Sequence, residues 1–190
     1  TVATLRTVLG WPENRAEVME MLDAIIAKAT AVDGLTGEKG IAGYSVIAPR
    51  DVAELLGRYA RSDPGFIREA LGRHPRLHAM YRFHLDTWCL GLYYPRSGDT
   101  GAFAMRNPSY AGVAFAQNPG LAPSAYAFLW ELYEATGDRD FVRALYGANG
   151  SSTAGLPYDL FAANPTHFQA NVAKVIADAG AEIKLSSVNK

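Results

Sequence analysis

The chain has 190 residues, 49% of them hydrophobic and 11% aromatic, which suffices for one domain, or a large part of one, with a sizeable core. Its 18 Lys and Arg balance 19 Asp and Glu, so the basic footprint of a nucleic-acid binder is missing. The lone cysteine, Cys89, excludes an internal disulfide framework and a thiolate zinc site, and no apolar run reaches the about 18 residues of a membrane-crossing helix.

Only 19% of residues are charged, which predicts that part of the surface is covered by something else. Thr1 stands where a start methionine would, so the expectation is either a removed leader or an excerpt of a longer chain.

The first helix is expected over 13–30, "ENRAEVMEMLDAIIAKAT". Pro12 suits its first turn, acids crowd its start, and Val18, Met21, Leu22, Ile25 and Ile26 recur at helical spacing. "VDGLTGEKGIAGY" follows, with too many glycines for regular structure. A second helix reads 49–61, and a short third, "DPGFIREALGR", opens on Ser62-Asp63-Pro64.

The fourth, 75–92, carries Leu77, Met80, Tyr81, Phe83, Leu85, Trp88, Cys89 and Leu90 on nearly every side. That pattern predicts a helix buried within a larger helical body, with Cys89 an inert buried thiol. After the loop "YYPRSGDTGAFA" come an apolar helix over 123–138 ending in Thr-Gly-Asp, and a shorter one, "RDFVRALYGANG", stopped by glycine. A Gly/Ser/Thr/Pro-rich connector spans 147–158, a last amphipathic helix 165–179, and "AEIKLSSVNK" is a strand or a loose tail. About seven helices in pairs with sparse strand signals make an all-α protein of stacked helical hairpins.

The loop after the fourth helix gathers Tyr93, Tyr94, Arg96 and Asp99, with Gly98 and Gly101 allowing tight turns. A phenol beside a guanidinium is a candidate acid or base, and arginine also pairs with a carboxylate substrate. Alternatively Asp99 caps the turn, Arg96 pairs with it, and the tyrosines fill the core. His84, with Asp86 near it, is either a general base or a hydrogen-bonded core histidine. His78 and His84 stand six apart, which is not the spacing of a paired metal site, and His74 and His167 read as ordinary surface residues. "GLTGEKGIAGYS" offers Glu38, Lys39 and Tyr44 but lacks the signature of a phosphate-binding loop. Glu131 and Glu134 share a helix face, either as a solvated pair or as glycosidase carboxylates.

Three segments, "GLTGEKGIAGYSVIAPR", "YRFHLDTWCLGLYYPRSGDTGAFA" and "LWELYEATGDRDFV", together resemble parts of heparinase II/III-like proteins, a polysaccharide-lyase superfamily, over roughly residues 34 to 143. The resemblance implies an (α/α) toroid of inner and outer helices followed by a β-sandwich, acting on uronic-acid glycans by β-elimination. A proton beside a carboxylate becomes acidic once that charge is offset and the enolate stabilised, and the leaving oxygen then needs an acid.

A complete toroid needs more helices than this chain offers, so the expectation is a single toroid-like domain, incomplete, over 1–190 within a longer chain. By residue type rather than motif, the resemblance assigns catalysis to Tyr94, His84 and Arg96. Substrate contact falls to Tyr93, Asp99, Tyr44 and Trp88. It implies an acidic polysaccharide as partner, no metal or cofactor, and a periplasmic or secreted location. Two other classes stay open: a non-catalytic glycan-binding or scaffold module, and a toroid glycoside hydrolase using Asp99 and Glu131.

Overall fold

The computed structural model describes residues 2–30, 41–96, 106–114, 120–158 and 164–184. Its helices are α1 (Val2–Gly10), α2 (Arg15–Ala29), α3 (Ile47–Ala60), α4 (Phe66–Arg73), α5 (Pro75–Asp86), α6 (Pro123–Thr136), α7 (Arg139–Ala148) and α8 (Pro165–Ala179), with a 3-10 turn at Tyr44–Val46 before α3. The protein is all-α, and no strand forms among the described residues. Helices adjacent in sequence pack on one another from α1 to α5 and from α6 to α8, and α6 also packs against α3 and α4.

Local chemistry sets most helix ends. Proline occupies the first turn of α5, α6 and α8. Asn164 accepts from the backbone N–H of His167 and Asp138 from that of Asp140, so α8 and α7 each begin on a side-chain cap. Gly137, at φ 74°, ends α6, its N–H donating to the Tyr133 carbonyl. The α1 helix, which the sequence reading did not anticipate, leaves Val2, Leu5 and Leu9 exposed.

Burial on α5 corrects the expectation of an all-round apolar helix over 75–92. The helix ends at Asp86, and Leu77, Met80, Tyr81, His84 and Leu85 form one buried stripe while Phe83 is half-buried. Past Thr87 the chain reverses: Leu90 and Gly91 both take left-handed φ, 57° and 64°, and the Cys89 N–H donates to the Tyr93 carbonyl at 2.7 Å. Cys89 is therefore exposed on a tight turn, not buried, and Leu90 at its tip is 83% exposed.

A buried strap, 107–114, lies beneath this turn. Asn107 donates its backbone N–H to Leu92 and accepts from the Trp88 indole at 3.0 Å, while the Tyr110 hydroxyl donates to the Tyr81 carbonyl at 2.8 Å. Gly112 packs against the Tyr110 ring so closely that a Cβ there would overlap it.

Two polar clusters link helices that are distant in sequence. Arg15 on α2 donates to Asp63 at 2.7 Å and Glu69 at 2.5 Å, and Asp23 pairs with Arg73 and with His74. His74 is thus engaged and half-buried, not the plain surface residue expected. The second cluster centres on Asp140, which accepts from Arg82 on α5 at 2.6 Å, from Arg143 at 2.7 Å and from the Lys184 backbone at 3.2 Å. Arg143 also donates to the carbonyls of Ala179 and Gly180, and Arg82 to that of Lys184.

Removing one member of such a buried pair strands the other charge. Asp140→Ala is expected to lower unfolding free energy by about 3–5 kcal/mol. Arg58→Ala, which breaks only the exposed pair with Glu54, should cost about 0.5 kcal/mol or less. Urea titrations of both variants check the contrast, and equal losses would show that the Asp140 cluster is not a keystone.

Candidate functional site

The residues expected to act together separate by burial. Tyr94 is 6% exposed, its ring stacks on Trp88 at 6.2 Å, and its hydroxyl accepts from the Ala111 N–H at 3.0 Å. Burial pushes its phenol well above the ordinary value, although the Ala111 bond works the other way. Trp88 is buried as well, with its indole N–H engaged by Asn107.

His84 is 1% exposed, with Nδ1 3.2 Å from the Met80 carbonyl and Nε2 3.1 Å from that of Ile41. A neutral imidazole has one N–H and satisfies only one of these acceptors. Burial lowers the His84 pKa, and the two carbonyls oppose that shift without overcoming it. Proton transfer by Tyr94 or His84, and substrate contact by Trp88, need an atom turned to solvent. Each of these side chains is instead enclosed in the packing beneath the turn.

Tyr93, Arg96 and Tyr44 are the solvent-facing members of the predicted set. Tyr93 is 45% exposed on the outgoing arm of the Cys89–Tyr93 turn, Arg96 follows three residues later, and Tyr44 opens the 3-10 turn before α3. Asp99, with Gly98 and Gly101, lies outside the described residues. Among the described residues no three His, Cys, Asp or Glu side chains are placed to hold a metal, and no helix is long and apolar enough to cross a membrane.

A concave site lies elsewhere, between α4, α6 and α8, as a groove of about 680 Å3. Its wall on α6 is aromatic: Trp130 and Tyr133 are half-buried with ring centroids 5.1 Å apart. Phe168 of α8 meets the Trp130 ring edge-on at 5.9 Å, while α8 itself packs on α7. Polar groups converge from all three helices: Arg68 from α4, Glu134 from α6, and Asn171, Lys174 and Asp178 from α8. Arg68 reaches the Glu134 carbonyl at 3.5 Å.

Of the sequence candidates, Glu134 of the α6 carboxylate pair lines this groove, whereas Tyr44, His84, Trp88, Tyr93, Tyr94 and Arg96 do not. The available signal was "LWELYE", which places Trp130, Tyr133 and Glu134 on adjoining positions of one helix face. The volume lies within the range of about 300–1,000 Å3 common to small-molecule sites.

The lowered His84 pKa has a signed consequence. The unfolded chain binds a proton at His84 at higher pH than the folded one, so stability contributed by the neutral ring is present above about pH 6.5 and is lost as pH falls. Unfolding free energies measured at about pH 7.5 and pH 5 should therefore differ more for the parent than for His84→Gln. Parallel changes in the two proteins would refute a buried neutral His84.

No protein-family model, curated protein or solved structure matches this chain.

Proposed function

We propose that the chain is a helical module of a carbohydrate-active protein, and that the groove between α4, α6 and α8 binds sugar. One observation carries this reading: two half-exposed aromatic rings, Trp130 and Tyr133, form a wall with hydrogen-bonding side chains converging on it from three helices. Flat aromatic faces suit the C–H faces of pyranose rings, and charged and amide groups at the edge suit hydroxyls. The pairing of sequence-adjacent helices is the arrangement an (α/α) toroid requires, which supports placing the chain within that architecture.

Titrating the protein with neutral and acidic oligosaccharides while following tryptophan fluorescence tests the proposal. Saturable binding is expected, and Trp130→Ala should weaken it by at least about tenfold. Absence of binding across the series would remove the sugar reading, and unchanged affinity in Trp130→Ala would place the ligand elsewhere.

A second reading, β-elimination on a uronic-acid polysaccharide, rests on the resemblance to heparinase II/III-like proteins. It is supported by the exposure of Tyr93 and Arg96 on the same loop. Arg96 offers a bidentate fork to a uronate carboxylate, and Tyr93 a phenol at the surface for proton transfer. The elimination product carries a conjugated double bond and absorbs in the short-wavelength ultraviolet. Arg96→Ala and Tyr93→Phe should each lower that signal by about a hundredfold with the melting temperature unchanged. If no uronate polymer yields the absorbance, the lyase reading falls.

A further inference from the structure

Resting on the groove as a sugar site, we infer that it selects uncharged pyranose oligosaccharides over uronate ones. The acids of the groove stand where helix electrostatics disfavour them. Glu134 lies in the last turn of α6 and Asp178 in that of α8, and neither last turn carries a basic residue. The C-terminal end of a helix bears partial negative charge, so Glu134 adds to a field of its own sign at α6, while at α8 the Arg143 guanidinium holds the last carbonyls and leaves Asp178 only part of that field.

The cations offset this field without exceeding it. Arg68 reaches across to the α6 terminus at the Glu134 carbonyl, and Lys174 stands one turn before Asp178 on α8. Two positive and two negative side chains sum to zero, Arg143 at the α8 end is itself balanced by Asp140, and the α6 end tilts the balance towards negative. A polyuronate brings one carboxylate per sugar ring, and some of these would face Glu134 or Asp178, at a repulsive cost.

A neutral sugar meets no such opposition. Each hydroxyl both donates and accepts, so the carboxylates of Glu134 and Asp178 accept its hydrogen bonds, Arg68 and Lys174 donate to its oxygens, and Asn171 does either. Bonds to the ionised groups are the stronger kind. Trp130 and Tyr133 supply the apolar face that a pyranose ring covers. Any uronate chemistry of this protein then belongs to the Tyr93–Arg96 surface and not to this groove.

The full chain titrated at low salt with malto-, cello-, manno- and chitotetraose and with tetragalacturonate tests this selection. At least one neutral tetrasaccharide should bind about tenfold or more tightly than tetragalacturonate. The double variant Glu134→Gln, Asp178→Asn alters two surface groups and should keep the parent's thermal melt. It should raise tetragalacturonate affinity by at least about fivefold while weakening the neutral ligand. Tetragalacturonate binding as tightly as every neutral ligand, or unmoved by the double variant, overturns the selectivity and leaves the sugar site standing. No binding by any of the five overturns both.

Discussion

The carboxylate of Asp140 is the point on which the described helices converge. Its two oxygens take hydrogen bonds from Arg82 of α5, Arg143 of α7 and the backbone beyond α8, so one buried anion ties together segments more than forty positions apart. An anion this enclosed is tolerable only when its acceptor capacity is filled, and both arginines are themselves held by further acceptors. Arg143 turns its remaining donors to Ala179 and Gly180, carbonyls that no later turn of α8 can satisfy. That contact places α8 along α7, and α8 in turn forms the third wall of the groove. The binding surface therefore owes its shape to a charge cluster that is no part of it.

Asp138 adds a second function to the same corner. Burial alone would raise its carboxyl pKa, but the hydrogen bond from His78 and the charge of Arg82 hold it below the usual carboxylate range. It also caps α7, so the residue that starts one helix is gripped by the side of another. The motif "TGDRDF" is thus a joint: glycine stops α6, Asp138 starts α7, and Asp140 secures both to α5 and to the segment after α8.

Much of this fold was legible in the sequence because helix ends are written in local chemistry. Asn164-Pro165, Thr-Gly-Asp at 136–138 and the proline at 75 mark boundaries that the structure places within a residue or two. The end of α5 was not legible, since apolar composition continues through Trp88, Cys89 and Leu90 while the backbone turns back at Leu90-Gly91. What bends it is tertiary: Trp88 finds Tyr94 and the Asn107 carbonyl, and neither lies within reach of a continued helix. The candidate site was still less legible. Spacing within α6 shows that Trp130 and Tyr133 share a face, but only packing reveals that Arg68 and Lys174 border the same space. Of the loop that gathers the candidate acid, base and substrate-contact residues, Tyr93 and Arg96 face solvent, Tyr94 anchors the turn to the strap below, and Asp99 lies outside the described residues.

The contact between Gly112 and Tyr110 fixes how far the strap can drift over evolutionary or engineered change. Its φ is not left-handed, so the demand for glycine comes from the neighbouring ring and not from the backbone. A methyl group at 112 would displace the Tyr110 hydroxyl from the Tyr81 carbonyl, and the strap would lose its hold on the middle of α5. Alanine and glycine, interchangeable at many loop positions, are therefore not equivalents here. A screen of this chain's tolerance to substitution would find one of its narrowest positions in a segment without regular secondary structure.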